Sequence, residues 1–92
     1  MLIRSVTVTN KLGLHARAAA RFVHLASRFQ SHVKVSRGTQ TMDGKSIMGI
    51  LLLAAATGTV LRITTDGEDE QPAIDALCGF IETGFGEDAC SA

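Results

Sequence analysis

The feature that most restricts this chain is its hydrophobic period, which changes repeatedly between two and 3.6 within 92 residues, each change falling near a glycine, aspartate or serine. Residues Leu2 to Thr9 alternate well enough to predict a strand, although Val6 and Val8 interrupt strict phase. Asn10, Lys11 and Gly13 break that pattern, and Ala16 to Arg28 takes the period of a helix. On a helical projection Ala16, Ala19, Val23 and Ala26 gather on one side with Ala20 and Phe22 at its edges. Arg17, Arg21, His24 and Arg28 form a basic ridge opposite. His32 to Arg37 alternates again, and Gly38 turns the chain into a short strand near Thr39 to Met42.

Asp43, Gly44 and Lys45 lead to Ser46, a helix-starting residue, and an almost wholly apolar helix is predicted from Ile47 to Ala55, stopped by Gly58. Val60 to Thr65 is the fourth strand. After the Asp66-Gly67 turn, the acids Glu68, Asp69 and Glu70 suit a helix N-terminus, and Pro72 is tolerated in a first turn. The stripe Ala73, Ile74, Leu77, Cys78, Ile81 and Phe85 defines the last helix. The order β-α-β-β-α-β-α predicts an α+β open-faced sandwich, in which a four-stranded, mostly antiparallel sheet is covered on one face by three helices. Residues 1–92 read as one domain, with a frayed tail expected over 86–92.

A domain this small can present a surface site but hardly enclose a small substrate, which favours a docking module over a metabolic enzyme. Nine basic residues balance nine acidic ones, so no global field draws the chain to nucleic acid or to an anionic membrane. Cys78 and Cys90 lack metal-ligand spacing. Cys78 lies on the apolar stripe and is expected to be a buried free thiol, and Cys90 an inert tail residue. The N-terminus has no signal-peptide layout, and the apolar run from Ile47 to Ala56 is far shorter than a membrane helix. A soluble, reducing, cytoplasmic setting is expected, with no cofactor and no metal.

The chemistry-bearing segment is Gly13-Leu14-His15-Ala16-Arg17, where a loop meets a helix. His15 falls at the N-cap position, so the first amides of the helix point toward whatever its ring carries, and the helix dipole favours an anion there. The guanidinium fork of Arg17 reaches the same region. A neutral imidazole is a competent nucleophile toward phosphorus. His24 and His32 provide an internal contrast, since neither begins a helix.

These residues resemble the HPr family, the histidine-containing phosphocarriers of the bacterial phosphotransferase system. The resemblance covers nearly the whole chain and rests on Gly13 to Arg17 and on Lys45-Ser46-Ile47-Met48-Gly49 with the following Ala54-Ala55-Ala56. It implies that His15 accepts phosphate on Nδ1 from phosphorylated enzyme I and passes it to an enzyme IIA domain, with Arg17 stabilising the group in flight. The family commonly has proline after that arginine. Here Ala18 replaces it, which alters the stiffness of the first turn and removes no ligand.

Ser46 reads locally as an N-cap. A P-loop is excluded because Thr39 stands where its first glycine is required, and an acyl-carrier site is disfavoured by the strands and the neutral charge. The resemblance implies that Ser46 is a regulatory phosphorylation site for an HPr kinase/phosphorylase. Both sides of the second helix are apolar, and three helices on one sheet leave too little protein to cover it. Ile47, Met48 and Leu51 are therefore expected to form a docking patch beside His15, together with Ala16, Ala20, Arg21 and His24. The expected activity is a monomeric phosphocarrier with no small-molecule turnover of its own. The alternative is a regulatory adaptor using the same surface, with His15 incidental.

Overall fold

The computed structural model describes residues 1–86; Cys90 and the tail expected to fray lie outside the described residues apart from Gly86. The elements are β1 (Leu2–Thr7), α1 (Ala16–Ala26), β2 (His32–Arg37), β3 (Gln40–Asp43), α2 (Ile47–Leu52), β4 (Val60–Asp66) and α3 (Glu70–Glu82), in the order that the periodicity predicts. The sheet order is β1-β4-β2-β3, and each neighbouring pair is antiparallel. Period two divides each strand between two faces. Val33, Val35, Leu61 and Ile63 are buried under the helices, whereas His32, Lys34 and Arg62 face solvent. α3 packs on β1 and β4, and α1 lies against α2 and α3. One core joins Phe22, Ile50, Leu53, Ile74, Leu77, Ile81 and Phe85 to the inner sheet face. Cys78 belongs to it as a free thiol, and burial pushes its thiol pKa up.

The element ends differ from the periodicity, and each difference has a backbone bond behind it. β1 stops at Thr7, but Val8 still donates to Thr59 O at 2.9 Å and accepts from the Gly58 amide at 2.8 Å. α1 ends at Ala26, two residues before Arg28, in tightened bonds from Arg28 to Leu25 O and from Phe29 to Ala26 O. β3 spans Gln40–Asp43, since Arg37 pairs with Gln40 across the two-residue loop Gly38-Thr39, with Gly38 at φ 58°. α3 stops at Glu82. Gly84 then adopts φ 76° and closes a Schellman motif, in which Gly84 donates to Ile81 O and Phe85 to Phe80 O, both at 3.0 Å. The motif folds the Phe85 ring back edge-on to Phe80, with centroids 5.8 Å apart, so Phe85 is core without being helical.

The buried stripe of α1 is also rotated from its expected position. Ala18, Ala19, Phe22, Val23 and Ala26 are buried and Ala16 is exposed. Phe22 dictates the phase, because burying a phenyl ring gains far more than burying the Ala16 methyl.

One carboxylate joins two loops. Asp69 accepts from the Gln30 and Ser31 amides, each at 2.9 Å, and from the Ser31 hydroxyl. It does not cap α3 with its side chain, although it occupies the N-cap position. The Ser31 hydroxyl, followed by the Gln30 amide, holds the Asp69 carboxyl below its usual range. Such a group stabilises the fold above its unfolded titration range, and that stabilisation disappears as pH falls through the depressed folded value. The parent protein is therefore expected to lose melting temperature on acidification below about pH 4. Asp69→Asn should start lower at neutral pH and show a shallower acid loss, and parallel acid limbs in the two proteins would refute this role.

Candidate functional site

His15 is the N-cap of α1, with extended backbone at φ −88° and ψ 177°. Its carbonyl accepts the first intrahelical bond, from Ala19 at 2.8 Å, and its amide donates to Gly13 O at 3.1 Å. The imidazole makes no capping bond to the first-turn amides, so those donors stay directed beyond the helix tip. His15 is half-buried, while Ala16 and Arg17 are exposed. No acidic side chain occupies the first turn to compete for the same donors.

The preceding loop is held from two directions. Within it, Asn10 Nδ2 donates to Gly13 O at 2.8 Å, and the Gly13 amide donates to Asn10 O at 3.2 Å. From outside, the segment after α2 clamps it. Leu14 donates to Ala55 O at 2.8 Å, and the Thr57 hydroxyl bonds Asn10 O and, at 3.1 Å, Lys11 O. Gly13 has φ 64°, and a Cβ there would stand 2.5 Å from Ala55 O. Glycine is required by conformation and by space.

That clamp accounts for the short second helix. α2 ends at Leu52 rather than Ala55, because Ala54 turns into the left-handed region at φ 49° and releases the Ala55 carbonyl to Leu14. The left-handed backbone costs an alanine roughly 1–2 kcal/mol, part of which glycine would recover against its greater loss of chain entropy. Ala54→Gly is thus expected to stabilise the fold by about 0.5–1 kcal/mol, read as a higher urea midpoint at unchanged slope.

Ser46 is the N-cap of α2, and its half-buried hydroxyl accepts from the Gly49 amide at 3.2 Å. The neighbouring Lys45 ammonium donates to Phe29 O at 2.7 Å, and the Lys45 amide donates to Asp43 Oδ1 at 2.9 Å. On α2 and its C-cap, Ile50 and Leu53 are buried, Ile47 and Met48 are 42% and 69% exposed, and Leu51 is half-buried. The exposed apolar face runs through Leu52 as well, at 60% exposure, and the sequence reading lacks it. Leu52 follows Met48 by four residues on the helix, a spacing that signals this face.

α1 carries Ala20 and Arg21, both half-buried, and an exposed His24. Arg21 Nη1 donates to Phe85 O at 3.4 Å, which tethers it to the C-terminal turn of α3. The ion pairs among the described residues join Met1 to Asp66 and Glu70 and Arg4 to Asp75. None of them neutralises Arg17, Arg21 or His24 on α1, or Arg28 just beyond its end. No cluster of three or more potential metal ligands occurs among the described residues, and no helix there is long and apolar enough to cross a membrane.

Residues 3–83 match the family described as "PTS HPr component phosphorylation site". The chain belongs to the HPr family. A phosphocarrier protein HPr of Cupriavidus necator is 53% identical over 87 residues, covering 95% of this chain and 98% of that protein. A phosphocarrier protein NPr of Shewanella violacea is 37% identical over 86 residues and covers 94% of each chain. Among solved structures, HPr-C-His from Thermoanaerobacter tengcongensis superposes with a TM-score of 0.89 at 43% identity, over 94% of this chain and 97% of that one. The four-stranded antiparallel sheet with three helices is thus the HPr fold, and the chain is an HPr-type phosphocarrier of the phosphotransferase system. Gly13 to Arg17 and Lys45 to Gly49 fall at the starts of α1 and α2 of this HPr fold, and those two helices pack against each other.

Proposed function

We propose that His15 is the phosphoryl acceptor, taking the group from phosphorylated enzyme I and giving it to an enzyme IIA domain. On loading, the phosphorus–nitrogen bond to the donor histidine breaks as one to His15 Nδ1 forms; on unloading, the bond to His15 Nδ1 breaks as one to the acceptor's reacting side chain forms, and each time the departing nitrogen keeps the electron pair. The observation that carries this reading is the N-cap position of His15, with a helix tip that its own ring does not cap. The planar phosphoryl group in flight carries charge on three oxygens, and its catalysis is chiefly positioning and electrostatic. The first amides of α1 and the exposed Arg17 are donors of the required kind.

Ile47, Met48, Leu51, Ala16, Ala20, Arg21 and His24 form the docking surface in this proposal, with Leu52 added. The basic row on α1, which makes no ion pair among the described residues, fits an acidic partner face. Ser46 is the regulatory site, phosphorylated by an HPr kinase/phosphorylase. A phosphate there adds roughly two negative charges beside Ile47 and Met48, and repels that acidic face. The carrier works as a monomer in the cytoplasm and turns over no small molecule alone.

Incubation with enzyme I and phosphoenolpyruvate tests the reading. The expected product carries one acid-labile phosphate that peptide mapping assigns to His15. No label, or a label confined to His24 or His32, would sink the proposal. A protein that stays unlabelled while still binding a partner would favour the adaptor alternative.

A further inference from the structure

Leu12 is 72% exposed, more than Met48 at 69% or Leu52 at 60%, and it stands three residues before His15. An isolated exposed leucine on a mobile loop needs no explanation. This one is different, because its loop is fixed on both sides of it. Asn10 Nδ2 and the Gly13 amide close the loop internally, at 2.8 and 3.2 Å, and Thr57 and Ala55 hold Lys11 O and the Leu14 amide from outside, at 3.1 and 2.8 Å. Those outside contacts come from the segment that leaves α2, the helix bearing the exposed Ile47, Met48 and Leu52. The fold therefore presents a large apolar side chain on rigid backbone, and bonds that backbone to the end of an exposed apolar helix face.

We propose that Leu12 is a docking anchor for enzyme I, the protein that loads His15 in the reading above. The inference rests on the phosphocarrier reading above and adds a contact to it. A rigid loop has little conformational entropy left to lose on binding, so most of the gain from burying the isobutyl group appears as affinity. Lys11 and Arg17 are exposed as well, and charged side chains of this kind make the polar rim that such an anchor needs. An anchor so close in sequence to His15 also fixes the angle at which the partner's phosphoryl group approaches. Leu12 is a positioning residue and touches no reacting atom.

The test measures initial rates of His15 phosphorylation by phosphorylated enzyme I as the concentration of the carrier is varied. Leu12→Ala is expected to raise KM about tenfold with kcat changed less than twofold, and Leu12→Met, which keeps size and apolarity, to stay close to the parent. Both variants should melt with the parent, because the side chain contributes nothing to the core. A KM unchanged within twofold in Leu12→Ala overturns the inference, as does a fall in kcat at constant KM. Sedimentation showing a self-associated parent and a monomeric Leu12→Ala variant also overturns it, assigning the residue to a second copy of this chain. A labelled parent with an unaffected variant refutes the anchor alone, whereas an unlabelled parent refutes the phosphocarrier reading beneath it.

Discussion

Arg17→Ala is expected to slow single-turnover phosphoryl transfer to His15 by about 10²–10³-fold, the range found when one preorganised donor is removed from a developing charge. The side chain is exposed and makes no ion pair among the described residues, so the fold should not register the change. Rapid-quench measurement of transfer from phosphorylated enzyme I, beside a melting curve, separates the two effects. Arg17→Lys should recover only part of the rate, since an ammonium restores charge without the planar fork that grips two phosphoryl oxygens at once. Transfer within threefold of the parent in Arg17→Ala would mean that the α1 amides and the partner suffice.

Gly13→Ala is expected to destabilise the fold by about 3 kcal/mol, combining roughly 1–2 kcal/mol for a left-handed alanine with an overpacking cost of similar size. The crowding atoms are backbone, Ala55 O at 2.5 Å and Ala56 Cα at 3.0 Å, so no rotamer change relieves them. Gly38→Ala is the matched control. Gly38 has a similar φ of 58° with nothing within 4 Å of the added methyl, so it should lose only the conformational part. Urea unfolding of both variants isolates the clash, and equal losses would refute it. Relief of that clash has to open the Leu14–Ala55 bond, so transfer to His15 in the folded fraction should also slow, by about tenfold or more as the imidazole shifts.

The most reliable readings of the sequence were those that depend on nearest neighbours along the chain. Ser46 and His15 mark the starts of α2 and α1, because a helix start is set by one residue and the amides after it. The helix stops differ from the local pattern. α2 would continue through Ala54 on propensity alone, but the Ala55 carbonyl bonds a residue some forty positions earlier in the chain, which no local pattern encodes. Similarly, Phe85 looks like the next step of a helical stripe, and only the Schellman turn after Glu82 shows how its ring reaches the core.

Exposure is legible on α2, where more apolar surface is present than the fold can cover, and illegible where the packing of several segments sets it. Ile47 and Met48 are expected at the surface because α2 is apolar all round, and they are exposed; Leu52 is marked only by its spacing from Met48, Leu12 carries no such local signal, and Ala16 lies on the core side of the helical projection yet is exposed, as its place in the docking patch requires. Those assignments depend on where α1, α2 and the loop after β1 settle against one another.

By itself, the sequence determined the order of the elements, the place of a lone imidazole and an arginine at the start of a helix, and the family, since periodicity and short motifs are properties of adjacent residues. Only the tertiary structure decided where the helices stop, which apolar side chains remain in water, and how the loop before His15 is held rigid. Those outcomes follow from hydrogen bonds and packing between segments far apart in the chain, whose energies become defined only when the segments meet.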